Sequence, residues 1–108
     1  MYNLKNLQEI VHKIAKEKGF YDDIDQNESP VFFYWFVVTH LMLIVTEISE
    51  GVEGFRKGGD FNNLDEELAD AIIRICDLAE FLRYDLDKAV QKKIEINKTR
   101  PHKHNKRF

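Results

Sequence analysis

Two short stretches of the chain carry carboxylates at the same spacing. Glu47 and Glu50 lie three residues apart in TEISEGVE, directly after a long apolar run, and Glu67 and Asp70 repeat the spacing in DEELADAI. Residues three apart on a helix project to the same side. Burying such carboxylates is unfavourable by several kcal/mol each unless a cation compensates. Four acids without a cysteine suit a hard cation, so the pattern predicts a Mg²⁺ site, with Mn²⁺ as the alternative ion.

The same acids have two other interpretations. Most pairs of acids on helices are solvated faces, and one Glu-x-x-Glu motif indicates little by itself. A di-iron carboxylate bundle needs two Glu-x-x-His motifs, whereas Glu9 and His12 supply only one and the acid pairs contain no histidine. Two acid pairs that face each other across a helical hairpin, each beside an apolar stripe, favour the metal site.

The element that positions the first acid pair is a long apolar helix. Ser29 followed by Pro30 is an N-cap with proline at the first helical position, and the helix should run from Pro30 to residue 55 or 56, with the glycines at 58 and 59 ending it. His40 and both glutamates continue the stripe of its aromatic residues. His40 either lines a base or sugar pocket or is a satisfied interior histidine.

Three further helices are expected around this one. The first should end near Gly19, and its inward face comprises Leu4, Leu7, Ile10, Val11, Ile14 and Ala15. The third begins at a capping box of Asn63 and Glu66, and its stripe comprises Leu64, Leu68, Ala71, Ile75, Leu78 and Leu82. The fourth follows Asp85 and must end before Pro101, with Leu86, Ala89, Val90 and Ile94 facing inward. The fold class is therefore all-α, a four-helix unit built on a helical hairpin.

The long helix makes a demand on the rest of the molecule. Residues 31–45 carry no formal charge, and a helix that is apolar all round must be covered all round. Three other short helices give thin cover, so we expect a homo-oligomer, either a dimer or a dimer of dimers. A charge-free run of this length is too short for a bilayer, which needs about 20 residues, so no membrane partner is expected.

Length and composition indicate a single soluble domain. The chain has 108 residues, of which 44% are hydrophobic and 32% charged, as in ordinary globular proteins. Charged residues interrupt the N-terminal segment, so no signal peptide is expected. Cys76 is the single cysteine, which fits a reducing cytoplasm and a small buried hydrophobe. We expect a domain over residues 1–100 and a basic, frayed tail over 101–108.

Charge is unevenly distributed along the chain. Residues 92–108 contain seven basic residues and one acid, a net +6, on a protein whose overall charge is −3. Such a segment suits anionic phosphate, but it is also typical of solvated tails and of segments that bind nucleic acid.

The acid pairs and the C-terminal half together resemble a known family. Glu47-x-x-Glu50, a gap of sixteen residues and then Glu67-x-x-Asp70 is similar to the signature of the MazG-like all-α nucleotide pyrophosphohydrolases. The wording ELADAIIRICDLAEFLRYDLDKAVQKKIEINKTRP resembles the family's third and fourth helices, and NKTRPHKHNKRF resembles the tail of its small members. The resemblance covers roughly residues 31–108.

The resemblance implies Mg²⁺-dependent hydrolysis of a nucleoside triphosphate to the monophosphate and pyrophosphate. It implies that the metal ligands are Glu47, Glu50, Glu67 and Asp70. The positions implied on the phosphate side are Lys93, Asn97 and Arg100. Narrower substrates such as dUTP, dCTP or phosphoribosyl-ATP stay open.

A function of a different class competes with the enzyme. The chain could be a non-catalytic helical oligomerisation module whose basic tail binds nucleic acid or a partner protein. Nucleic acid is the less favoured partner because basic ends of this kind are often solvated tails. Strong salt dependence of nucleic-acid binding would favour the module, and metal-dependent release of pyrophosphate would favour the enzyme.

Overall fold

The computed structural model describes residues 2–24 and 29–107, and within them the protein is all-helical, with no strand. This confirms the all-α fold class. The described segments form four α-helices and a short 3-10 helix. Their bounds are Leu4–Glu17 (α1), Pro30–Gly58 (α2), Leu64–Phe81 (α3), Leu86–Thr99 (α4) and His102–Asn105 (the 3-10 helix).

Capping residues set most of the helix ends. Ser29 accepts a hydrogen bond from the amide of residue 32, and Asp85 accepts one from the amide of residue 88, as the sequence predicts. Gly59 ends α2 with φ of 72°, a left-handed conformation that favours glycine. The predicted capping box at Asn63 is wrong, because its side chain makes no cap hydrogen bond. The amide of Glu66 is instead bound by the preceding aspartate.

The two central helices form an antiparallel hairpin. Gly51 on α2 lies against the start of α3, and a Cβ atom at this position would approach the Leu64 side chain to 2.8 Å. Further along, Glu47 reaches Arg74, and near the far end Phe33 stacks against Phe81, with ring centroids 6.0 Å apart. The short connection between the helices therefore brings the two acid pairs to the same end of the hairpin.

The helix α1 packs on α3 through a polar residue that the sequence pattern does not single out. Gln8 is 1% exposed. Its amide donates to the carbonyl of Tyr84 at 2.7 Å and to Glu80 at 3.3 Å, and its oxygen accepts from the amide of Leu86. One glutamine thus joins α1 to the α3–α4 corner. Cys76 is buried on α3, as expected, and burial raises the pKa of its thiol.

The helix α4 and the tail differ from expectation. No residue of α4 is buried, and Val90 and Ile94, predicted to face inward, are exposed. Among the described residues α4 packs mainly on α1, which leaves this face uncovered in the single chain. The predicted frayed tail instead includes the 3-10 helix at His102–Asn105. The polar, acidic sequence YDDIDQNES between α1 and α2 predicts a loop, and its residues 25–28 lie outside the described residues.

The surface of α2 is apolar over much of its length. Large side chains that remain exposed on it include Val31, Phe32, Tyr34, Trp35, Val38, Leu41, Met42, Val45, Ile48 and Val52. By length and composition alone, α2 could also cross a membrane, a test that buried helices of soluble proteins pass as well. The helix has 29 residues, more than its charge-free run and more than the roughly 20 that a bilayer span needs.

Candidate functional site

Three of the four predicted metal ligands meet between α2 and α3. One carboxylate oxygen from each of Glu47, Glu50 and Glu67 lies within 4.8 Å of the others. Opposite ligands of an octahedral Mg²⁺ are about 4.2 Å apart, because each lies about 2.1 Å from the ion. Small side-chain movements would therefore bring the three oxygens to ligand distance. We call these three residues and Asp70 the acid cluster.

Glu67 lies among other acids, and one of its carboxylate oxygens is buried without a partner among the described residues. Its Oε2 is a buried side-chain oxygen without a hydrogen-bond partner in the described structure. Loss of hydration, then the neighbouring Glu50 carboxylate, and then Glu47 and Asp70 raise the pKa of Glu67. Buried carboxylate oxygens normally have partners. A cation at this position would satisfy the orphaned oxygen and remove the repulsion among the acids.

Arg74 partly neutralises the acid cluster. Its Nε donates to Glu47 Oε1 at 2.6 Å, and the Glu47 side chain is only 9% exposed. Arg74 and Asp77 lie one turn apart on α3, but the described residues show no ion pair between them. Arg74 instead crosses to α2 and binds the buried Glu47. Asp77 is bound by His12 and Tyr21.

A cavity of about 460 Å³ adjoins the acid cluster. Both helices of the hairpin line it, together with Val11 from the middle of α1 and Phe20 from the segment after α1. At one end it is lined by Glu47, Asp70 and Arg74, and further along by His40, Asp77 and Phe20. Cavities of this size commonly hold small ligands. A second cavity, of about 330 Å³, touches Glu50 and Glu67 from the side of the α2–α3 turn.

Asp77 organises a polar cluster beside the larger cavity. Its Oδ1 accepts from His12 Nδ1 at 2.8 Å and from the Tyr21 hydroxyl at 2.9 Å. Burial, and then Asp77, raise the pKa of Tyr21, so this hydroxyl stays a donor. His12 is therefore engaged with Asp77, away from the three acids that meet between α2 and α3, which removes the Glu9–His12 motif from the candidate metal ligands. Sequence periodicity gave no signal for this cluster because its members come from three separate segments.

His40 matches one of the two interpretations that the sequence allows, the satisfied histidine, and its place in a base or sugar pocket stays a prediction. Its Nδ1 lies 3.0 Å from the carbonyl oxygen of Phe36, to which it donates, and its ring lies 4.2 Å from the Phe36 ring. It is thus a satisfied histidine within an aromatic cluster. It also lines the 460 Å³ cavity, so its remaining ring nitrogen is available to a ligand there.

The predicted phosphate-side residues lie elsewhere in the single chain. Lys93, Asn97 and Arg100 are exposed on or directly after α4. They are not among the described residues that line either cavity at the acid cluster. The structure therefore brings together the acids and His40, but it does not bring the basic residues to them within one chain.

Comparisons of the chain with protein-family models, with curated proteins and with solved structures gave no match. The geometry of the acid cluster and its cavity therefore carries the functional argument.

Proposed function

We propose that the protein is a metal-dependent nucleoside triphosphate pyrophosphohydrolase of the MazG-like type, which hydrolyses an NTP or dNTP to the monophosphate and pyrophosphate. One observation carries the proposal. Three carboxylates converge within 4.8 Å around a buried glutamate oxygen that lacks a partner. The cavity beside them is large enough for a small ligand.

The residues present fit a divalent cation. Glu47, Glu50, Glu67 and Asp70 would hold Mg²⁺ or Mn²⁺ through oxygen ligands. Bound Mg²⁺ neutralises phosphate oxygens and lowers the pKa of a coordinated water. Without such an ion, four acids would repel a triphosphate.

The chain's own groups then position the substrate and move a proton. Water attacks the α-phosphorus, the bond from that phosphorus to the bridging oxygen breaks, and pyrophosphate leaves. A carboxylate of the acid cluster accepts the proton of the water as general base. Arg74 lies beside the cluster, and 40% of its side chain is exposed. Its guanidinium is therefore accessible to a phosphate oxygen.

Oligomerisation is part of the proposal. The exposed apolar face of α2 is larger than soluble monomers normally leave in water, and a second copy would cover it. Association also provides a route by which Lys93, Asn97 and Arg100 from one chain reach the acid cluster of another. We propose a dimer or a dimer of dimers, in the cytoplasm.

Hydrolysis and metal binding are tested together. The common NTPs and dNTPs are incubated with Mg²⁺, and the released pyrophosphate is measured. Binding of Mn²⁺ is followed separately by electron paramagnetic resonance. Glu67→Gln should abolish both the pyrophosphate release and the Mn²⁺ binding. Glu66→Gln is the matched control, because Glu66 is its exposed neighbour outside the acid cluster. A fully active Glu67→Gln variant would reject the site.

The exposed basic helix supports a second candidate function. No residue of α4 is buried, so its lysines are accessible to a polyanion. A non-catalytic oligomerisation module would bind DNA or RNA with steep salt dependence and would release no pyrophosphate. Deleting residues 92–108 would then remove the binding.

A further inference from the structure

The cavity beside the acid cluster has hydrogen-bonding groups at the end away from the metal ligands. Asp77 lies two helical turns beyond Asp70 on α3, about 10 Å at 1.5 Å per residue. His40 lies equally far from Glu47 on α2, and both residues line the cavity. This separation is comparable with that between the phosphate of a nucleotide and the far edge of its base.

The free groups at this end are acceptors. Both hydrogen bonds to Asp77, from His12 and Tyr21, end on Oδ1, and among the described residues Oδ2 has no partner. The Nδ1 of His40 donates to the Phe36 carbonyl, so Nε2 is an acceptor whenever the ring carries a single proton. Two acceptors recognise N–H donors and repel carbonyl oxygens.

The walls of the cavity suit a flat ring. Phe20 lines it, and 68% of this side chain is exposed. Tyr21 packs behind His40, with ring centroids 5.8 Å apart and the rings 23° from parallel. Aromatic side chains stack on bases with little sequence preference, so selectivity must come from the polar groups at the end of the cavity.

We infer that this cavity takes the base of the nucleotide and that Asp77 selects bases with an exocyclic amino group over uracil and thymine. The inference rests on the proposed function and specifies its substrate class. An amino group donates to Asp77 Oδ2, whereas the 4-carbonyl of uracil presents lone pairs to the same oxygen. His12 and Tyr21 are positioning residues, because their bonds to Oδ1 fix the carboxylate.

The test compares dCTP with dUTP, which differ on this edge of the base at position 4, an amino group against a carbonyl, and at N3, an acceptor in cytosine and an N–H donor in uracil. With Mg²⁺, kcat/KM should be at least about tenfold higher for dCTP. Asp77→Asn should bring the ratio towards one, because an amide both donates and accepts. Tyr21→Phe should lower the ratio less, by loosening the carboxylate. The matched control is Asp87→Asn on α4, outside the cavity, which should keep the wild-type ratio.

Binding separates the two levels of the proposal. Calorimetry with dCMP and dUMP should show the same preference for the amino base without any hydrolysis. Equal binding of the two, or a dCTP-to-dUTP ratio that Asp77→Asn leaves unchanged, would overturn the role of Asp77. Selective binding of dCMP by a protein that hydrolyses no triphosphate would overturn the proposed function and leave the base pocket standing. If Asp77→Asn does not fold, Tyr21→Phe and the wild-type ratio decide.

Discussion

Glu67 combines a buried, unpartnered oxygen with three neighbouring acids, and its pKa is raised by lost hydration and by their charge. The folded state therefore keeps a proton that the unfolded state has already released. As pH rises from the ordinary value of 4.5 through the raised pKa, the metal-free protein loses stability, and the loss stays in force above that range. A cation that binds the ionised carboxylate reverses it.

Glu67→Gln should remove this pH dependence. In EDTA, its melting temperature should exceed that of the wild type increasingly as pH rises from 4.5, and the two should converge at lower pH. Thermal denaturation followed by circular dichroism measures the difference, with Glu66→Gln expected to follow the wild type. Parallel curves for wild type and Glu67→Gln would show that Glu67 is not under electrostatic strain.

In the absence of metal, Arg74 is the cation that pairs with the buried Glu47 carboxylate. Arg74→Met should lower the free energy of unfolding in EDTA by about 1.5–3 kcal/mol, the usual range for a hydrogen bond to a charged group. Saturating Mg²⁺ should recover part of the loss, because a bound cation replaces the guanidinium. Urea denaturation with and without Mg²⁺ gives both values.

The control for Arg74 is an exposed ion pair on α2. Arg56 bonds Glu53 at 3.0 Å, with side chains 69% and 47% exposed. Arg56→Met should change stability by less than about 1 kcal/mol, with or without Mg²⁺. Equal effects of the two substitutions would contradict the neutralising role of Arg74.

At the scale of elements, the approach of α2 to α3 depends on Gly51. A Cβ atom there would lie 2.8 Å from Leu64 Cδ1 and 3.8 Å from Glu67 Cβ, so the Leu64 side chain must move. Gly51→Ala should weaken Mn²⁺ binding, because the Leu64 side chain that must move lies one helical turn from Glu67. Gly54→Ala meets nothing within 4 Å, so it should raise stability by about 0.5–1 kcal/mol. Unchanged Mn²⁺ affinity in Gly51→Ala would contradict this coupling.

The helices and the acid cluster could be predicted because their signals are local. Caps such as Ser29 and Asp85 act within one turn, and a spacing of three residues fixes the side of a helix. The expected meeting of Glu47, Glu50 and Glu67 then follows from one short turn between two helices.

The remaining features depend on contacts between distant segments. Gln8 interrupts the apolar stripe of α1 in the sequence, yet it is the buried residue of that helix. It is buried because Glu80, Tyr84 and Leu86 provide hydrogen-bond partners for its amide. Asp77 likewise binds His12 and Tyr21, which lie 65 and 56 positions before it along the chain. The prediction of a buried face on α4 is wrong for the single chain. Apolar spacing shows which side of a helix is hydrophobic, but it does not show which element covers that side.

At the scale of the whole molecule, the exposed face of α2 should determine assembly. Each large apolar side chain buried there contributes roughly 1.5–3 kcal/mol. Light scattering of the dilute protein should give the mass of a dimer or of a dimer of dimers, two or four times the 12.8 kDa of one chain. Val38→Asp, at a side chain that is 44% exposed in the single chain, should give dissociated or aggregated protein without activity.

Two outcomes would contradict this assembly. A monodisperse mass of 12.8 kDa would show that α2 tolerates water, and the basic residues of α4 would then have no route to the acid cluster through a partner. Quantitative association with phosphatidylcholine vesicles, in place of a soluble oligomer, would show that lipid covers the face.

The products of one reaction test the central claim most directly. A nucleoside triphosphate accepted by the protein is incubated with Mg²⁺, and nucleotides and phosphates are separated by anion-exchange chromatography. The account predicts nucleoside monophosphate and pyrophosphate in equal amounts, no diphosphate, and no reaction in EDTA or with Glu67→Gln. Diphosphate with inorganic phosphate, or products that persist in Glu67→Gln, would contradict it, as would intact triphosphate throughout the panel of NTPs and dNTPs.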